Sequence, residues 1–294
     1  MPNKQIWGFL LVILLKTMFL PVVNAEEPFA YYSPENVLKF ADFLYTQGDY
    51  LRAVDEYQRY LFYQPQESAQ IHYKIAVCYQ FGGKTEQAIR GFEALLRRDP
   101  ESQFASRAYY QIGATYFLQG QFERSIQFLN DALPRITDAR QHTEAEQLIG
   151  LSYLKQKQWS KASEVFKVLQ KSDVMQIREK SIVYHKYAEK GEHLPTRSPF
   201  LAGTLSTIVP GAGRLYTGRF GDALTTLFTV GITGWQAYDG FRRDGISSAK
   251  GWTLGTLCGI FYVGNIYGSV ISARVYNQHI TDEFLATLSI ELSY

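Results

Sequence analysis

Four stretches of this chain repeat one order of side chains, and that register constrains the fold more than any other feature. Aligned on Ala53, Ala88, Ser125 and Ala162, the units start 35, 37 and 37 residues apart. Twelve residues before each lies a second small residue: Ala41, Ala76, Gly113 and Gly150. Nine before lies Leu44, Tyr79, Tyr116 or Tyr153, and four after lies Tyr57, Phe92, Leu129 or Phe166. A period of this length marks an array of two-helix units. Small residues at two fixed places let paired helices approach closely. Large apolar residues three or four apart form one buried stripe per helix. Gly48, Gly83 and Gly120 fall at the turn between the helices of a unit, and Lys157 stands there in the fourth. Pro65 and Pro100 end the second helix of the first two units, since proline cannot continue a helix.

Over about residues 34–170 this period and these residues resemble the tetratricopeptide repeat. The resemblance implies an all-α protein, an α-solenoid of about four helical hairpins acting as an interaction scaffold. Residues 174–192 read as a further, more polar helix that covers the last exposed face. In arrays of this kind the first helix of each unit lines a concave groove. The register places Tyr45, Tyr73, Phe81, Tyr110 and Phe117 on that surface. The expected partner-binding groove is therefore aromatic and mostly uncharged. The alternative is that these rings pack against neighbouring helices.

Charge divides the chain in two. Residues 26–194 hold 43 charged residues and 8 glycines, whereas residues 195–294 hold 13 and 14. Such a shift points to segments that face different solvents. The formal net charge of +2 gives no support for a nucleic-acid partner. Two cysteines, Cys78 and Cys258, exclude a disulfide framework and a cysteine-based zinc cluster.

Residues 1–25 read as a signal peptide. Lys4 is followed by the apolar run Ile6–Leu15, and Val23-Asn24-Ala25 places small residues before Glu26. Lys16 interrupts the pattern, and an uncleaved anchor is the alternative. Export implies an oxidising compartment for the repeat domain, residues 26–194.

After a linker at 195–199 come three apolar stretches: 200–213, 223–238 and 251–273, the last 23 residues long and uncharged. A stretch of that length spans about 30 Å of hydrocarbon. Gly231, Gly234, Gly255, Gly259, Gly264 and Gly268 recur three to five residues apart within the longer two, a spacing that lets membrane helices pack closely. Residues 200–278 are thus expected to form a membrane helical hairpin domain, with a buried glycine-rich helix pair as the soluble alternative. Arg242, Arg243 and Lys250 make the loop between the long stretches basic, which by the positive-inside rule is cytoplasmic. A repeat domain on the other side then requires 200–213 to lie in the interface or to re-enter the membrane.

Pro210-Gly211-Ala212-Gly213, Tyr216, Gly218 and Gly221-Asp222-Ala223 resemble the P-G-x-G-x-x-Y-x-G turn of a bacterial membrane hairpin family of the TM2 type. The resemblance covers residues 198–277 and implies an exported repeat protein with a membrane tail, its repeats in the periplasm of a bacterial cell envelope. Arg214 stands where that family usually carries glutamine. In physical terms Pro210 breaks a helix, Gly211 and Gly213 permit unusual backbone angles, and Asp222 suits a helix start. Residues 279–294 read as a tail with a short strand, from the alternation Leu288, Ile290, Leu292, Tyr294.

None of the five histidines falls in a metal spacing, and no Gly-rich phosphate loop or G-x-S-x-G occurs. The sequence therefore offers no catalytic residue, metal ligand or cofactor site. The expected function is a non-enzymatic, membrane-tethered scaffold whose groove binds envelope proteins and whose tail meets membrane lipid. The alternative is an accessory factor for membrane protein insertion or transport, acting through the hairpin.

Overall fold

The computed structural model describes residues 32–66 and 68–288, and every regular element in them is helical. The leader expectation at 1–25 lies outside these residues. They divide into two compact units between Thr115 and Tyr116.

The first unit holds α1 (Pro34–Thr46), α2 (Tyr50–Tyr63), α3 (Ser68–Phe81), α4 (Thr85–Arg98) and most of α5 (Ala105–Leu118). Ser33 opens α1 by accepting a hydrogen bond from the Asn36 amide at 3.3 Å, with Pro34 at the first helical position. Helices α2 and α4 stop just before Pro65 and Pro100. The register is borne out by burial: Ala41, Ala53, Ala76 and Ala88 are closed to solvent, as are Tyr57 and Phe92 four residues past the alignment points.

The second unit continues with α6 (Phe122–Ala132), α7 (Ala139–Lys155), α8 (Trp159–Leu169) and α9 (Met175–Glu192). Ser125 and Ala162 are fully buried, with Leu129 and Phe166 beside them. A Cβ on Gly150 would lie 2.8 Å from the Phe166 ring, which is why this position is small. Helix α9 is the covering helix: Tyr184 packs on Phe166 at 5.2 Å between ring centroids, and Gly191 admits the Trp159 indole. Three turns use glycine at φ of +78°, +72° and +70°, and Lys157 takes φ of +63° in the fourth. It is the one non-glycine residue with positive φ among the described residues.

The glycine-rich portion that follows comprises α10 (Pro199–Ile208), the short α11 (Ala212–Tyr216), α12 (Phe220–Asp244) and α13 (Ala249–Ala286). Ser198 caps α10 by accepting from the Leu201 amide at 3.2 Å, so Pro199 belongs to the helix rather than to the linker. Helix α13 runs unbroken to Ala286, so residues 279–286 are helix and not tail or strand. The cause is packing. Phe284 stacks on Tyr187 at 4.0 Å and meets Trp159 edge-on at 5.8 Å, and the Tyr187 hydroxyl donates to the Phe284 carbonyl. Residues 289–294 lie outside the described residues.

Candidate functional site

Two regions carry the expected function, and each is built by different physics. On the repeats, the structure separates the five groove residues. Tyr110 is 3% and Phe117 7% exposed, so neither offers its ring to solvent. Phe117 packs edge-on against Phe122 at 5.2 Å. Tyr45, Tyr73 and Phe81 are half-buried. Tyr45 and Phe81 join Tyr50 in one cluster with ring separations of 5.2–6.5 Å. Tyr73 lies between Phe92 and Phe104, at 5.7 and 5.5 Å. These aromatics fasten helix to helix first, and only the partly exposed three can also meet a partner.

A groove of about 710 Å³ opens elsewhere in the first unit, lined among others by Leu38, Asp42, Gln70, Lys74, Glu101 and Phe104. Its polar floor is ordered. Asp42 Oδ1 accepts from Lys74 Nζ at 2.6 Å and from the Tyr57 hydroxyl at 2.5 Å. Lys74 also sits over the Tyr57 ring, 5.4 Å from its centroid. Burial, reinforced by the Asp42 carboxylate, pushes the Tyr57 phenol well above its ordinary range and keeps it a donor. Glu101, Gln70 and Gln103 rise exposed at the rim. An apolar wall with fixed cationic, anionic and amide groups suits an extended peptide, whose backbone needs both donors and acceptors. Sequence reasoning missed this groove because the Asp99–Phe104 loop that closes it belongs to no repeat position.

In the turn, Pro210 and Gly211 reverse the chain between α10 and α11, and Gly211 takes φ of +91°. Its Cβ position falls against the Ala223 carbonyl oxygen, so no side chain fits. Asn265 of α13 pins the turn. Its Oδ1 accepts from the Gly211 amide at 3.0 Å, and its Nδ2 donates to the Ser206 carbonyl at 3.1 Å. Ser206 Oγ donates to Ser269 Oγ at 2.7 Å and accepts from the Gly213 amide at 2.9 Å. Tyr216 accepts from the Ser198 amide at 3.2 Å, which closes α11 back to the start of α10. Gly218 takes φ of +83° before α12. Asp222 sits in the first turn of α12, paired with Arg219, which holds the N-cap position.

Polarity in this portion is inverted. Phe200 (83%) and Trp235 (69%) are largely exposed, while Asn265 (2%) and Ser269 (0%) are buried. The threonines of α12 need no outside partner: Thr225, Thr226, Thr229 and Thr233 each donate to the carbonyl four residues back. Helix α13 is the one helix among the described residues long and apolar enough to cross a membrane.

Residues 67–138 match the tetratricopeptide repeat family. No curated protein matches the chain. Solved structures similar to it include an ArsTM double mutant of MamA RS-1, at 17% identity over 54% of this chain and 90% of that one, with a TM-score of 0.40. MamA 41-end from Desulfovibrio magneticus RS-1 follows at 19% identity, 54% and 91% coverage and a TM-score of 0.39. PilF of Pseudomonas aeruginosa is 18% identical over 87% of this chain and 97% of its own, with a TM-score of 0.38. The tetratricopeptide-like fold is consistent with a protein–protein interaction scaffold. Among the described residues, no three His, Cys, Asp or Glu side chains gather to hold a metal ion.

Proposed function

We propose that this chain is a membrane-tethered scaffold whose repeats hold envelope proteins in the groove beside Lys74, with the helices of residues 200–278 embedded in lipid. The inverted polarity of those helices carries this reading. In water, an apolar exterior over a serine and asparagine interior would leave the hydrophobic effect unused. In hydrocarbon the same arrangement pairs Asn265, Ser206 and Ser269 with one another and with the turn backbone, and lets small residues pack closely. Dimensions agree. Arg219 meets Ser272 at 3.3 Å, and Lys250 meets Asp239 at 3.0 Å. Helix α13 rises about 33 Å between those levels, close to the roughly 30 Å of a hydrocarbon core.

On this reading α13 crosses the membrane, α12 accompanies it as the second arm of the hairpin through its uncharged stretch 223–238, and α10–α11 re-enters it. Tyr262 donates to the Thr207 carbonyl at 2.6 Å, and Asn277 bonds both the amide and the carbonyl of Arg197. The re-entrant hairpin thus starts at the level of residue 277 and turns at the level of residues 262–265. The repeats and the basic 242–250 loop then lie on opposite sides. Alkaline extraction of membranes tests the attachment: the full-length chain stays with the lipid pellet. Recovery in the wash would overturn it.

A further inference from the structure

Three arginines from three separate places in the chain stack along one face of α13. Arg214 of α11 reaches Gly268, where a Cβ would come within 2.7 Å of its guanidinium nitrogen. Arg219 reaches Ser272, its Nη1 3.3 Å from the hydroxyl. Arg197 lies over Tyr276, 5.6 Å from the ring centroid, and over Tyr216 at 5.0 Å. Gly268, Ser272 and Tyr276 are four residues apart, so the cations rise one turn, about 6 Å, at a time. The lowest sits at Gly268, inside the uncharged run that ends at Ala273. Arg219 is paired with Asp222, whereas the Arg214 Nε is buried and finds no hydrogen-bond partner. An arginine within an apolar band is costly unless it is paired, and it marks a functional site. Phe200, Leu215 and Phe220 surround this end with exposed apolar surface.

We propose that this arginine ladder binds the phosphate headgroup of an anionic phospholipid, with the acyl chains lying on the adjoining apolar faces. Three guanidiniums face a single carboxylate, so net positive charge is available. Arginine donors form a fork that matches phosphate oxygens. Continuity with the apolar band selects a lipid over a soluble anion, because a headgroup reaches this depth only with its chains in the bilayer. Gly268 is the slot that admits Arg214 to the same helix face. The proposal rests on the membrane reading above and adds the class of lipid held.

The experiment uses the full-length chain in detergent micelles carrying equal amounts of phosphatidylglycerol and phosphatidylcholine, read by native mass spectrometry. Phosphatidylglycerol is expected to be retained over phosphatidylcholine by about tenfold, the scale of one charge-assisted contact. Arg214→Gln loses that preference, and Arg242→Gln, at the other end of α12, keeps it. Should Arg214→Gln fail to fold, Gly268→Ala gives the same reading by closing the slot. Equal retention of the two lipids, or an unchanged preference in both variants, overturns the proposal. Displacement of the lipid by equimolar inorganic phosphate also overturns it, in favour of a soluble anion. Alkaline extraction keeps the failures apart: protein in the pellet with no lipid preference sinks the ladder alone.

Discussion

Lys157 Nζ lies 3.0 Å from Asp282 Oδ1, so the turn of the fourth repeat is tied to the last turns of α13. The same lysine holds the left-handed backbone that glycine supplies in the other three repeats. A β-branched side chain cannot take that conformation without a clash, which costs about 1–2 kcal/mol. Lys157→Val should therefore lower stability by about that amount. Lys157→Gly relieves the strain but adds unfolded-chain entropy of comparable size, so it should melt within a few degrees of the parent. Both ends of the ion pair are about half exposed, and such pairs contribute about 0–1 kcal/mol. Asp282→Asn should accordingly be mild. Thermal melts of the three variants check the order; a Lys157→Val as stable as Lys157→Gly would sink it.

The close-approach positions predict a second contrast, within one helix. Ala88 is closed to solvent on α4 and Ala94 is exposed on the same helix. Ala88→Leu should cost about 1–3 kcal/mol by overpacking, while Ala94→Leu stays within about 0.5 kcal/mol. Chemical denaturation midpoints decide it. Equal losses would mean that the helices are not paired through Ala88.

The repeat array was legible because its physics is local and recurrent. A small residue is needed wherever two helices touch, and each unit states that need again at the same spacing. Even the Lys157 exception was visible, since the register showed what stood in the place of glycine. Side-chain direction within the groove was not legible. Tyr110 and Phe117 share the helical positions of a groove lining, yet the amphipathic pattern cannot tell a solvent face from the face of the next helix. The end of α13 was misread for a related reason: alternation at Leu288 and Ile290 resembles a strand, while the helix is held by Trp159 and Tyr187, more than 90 residues earlier. The arginine ladder was invisible because Arg197, Arg214 and Arg219 meet only after three elements fold onto Gly268, Ser272 and Tyr276.

Acid should weaken the repeats through His72. Burial lowers its affinity for a proton in the folded chain, and neighbouring Arg98 adds to that. The folded value is depressed below the unfolded value of about 6.5. As pH falls through that value the unfolded chain takes up a proton that the folded chain refuses, so stability drops with falling pH. Above it the two states are equally neutral and the contribution vanishes. His72→Gln should flatten the stability profile below about pH 6.5. A profile of unchanged slope would assign the acid sensitivity to other groups.

Burial also silences Cys78. The thiol is fully enclosed in the first unit, and its pKa is pushed up to about 12, chiefly by loss of water. The thiolate is the reactive species, so at mildly alkaline pH the folded chain should leave Cys78 unlabelled by a maleimide. A Cys258→Ser background isolates the signal. Labelling should appear only with denaturant, along the unfolding curve followed by circular dichroism. Modification that precedes unfolding would show that the core around Tyr57 opens locally.

The groove beside Lys74 can be blocked without disturbing the core. Gln70 is exposed at its edge, on α3, one turn before Lys74. Gln70→Trp would place an indole across the opening while leaving the Asp42–Lys74–Tyr57 floor intact. Partner crosslinking from envelope extracts should fall sharply, because the bulk occupies the space a peptide needs, and the melting temperature should hold. Tyr110→Ala provides the opposite case. That ring is buried, and removing a large buried aromatic costs about 3–5 kcal/mol, so stability should drop whether or not a partner is present. Measuring affinity and melting temperature on both variants separates the two roles. If Gln70→Trp binds as the parent does, the partner surface lies away from this groove, and the half-buried Tyr45–Phe81 cluster becomes the next place to block.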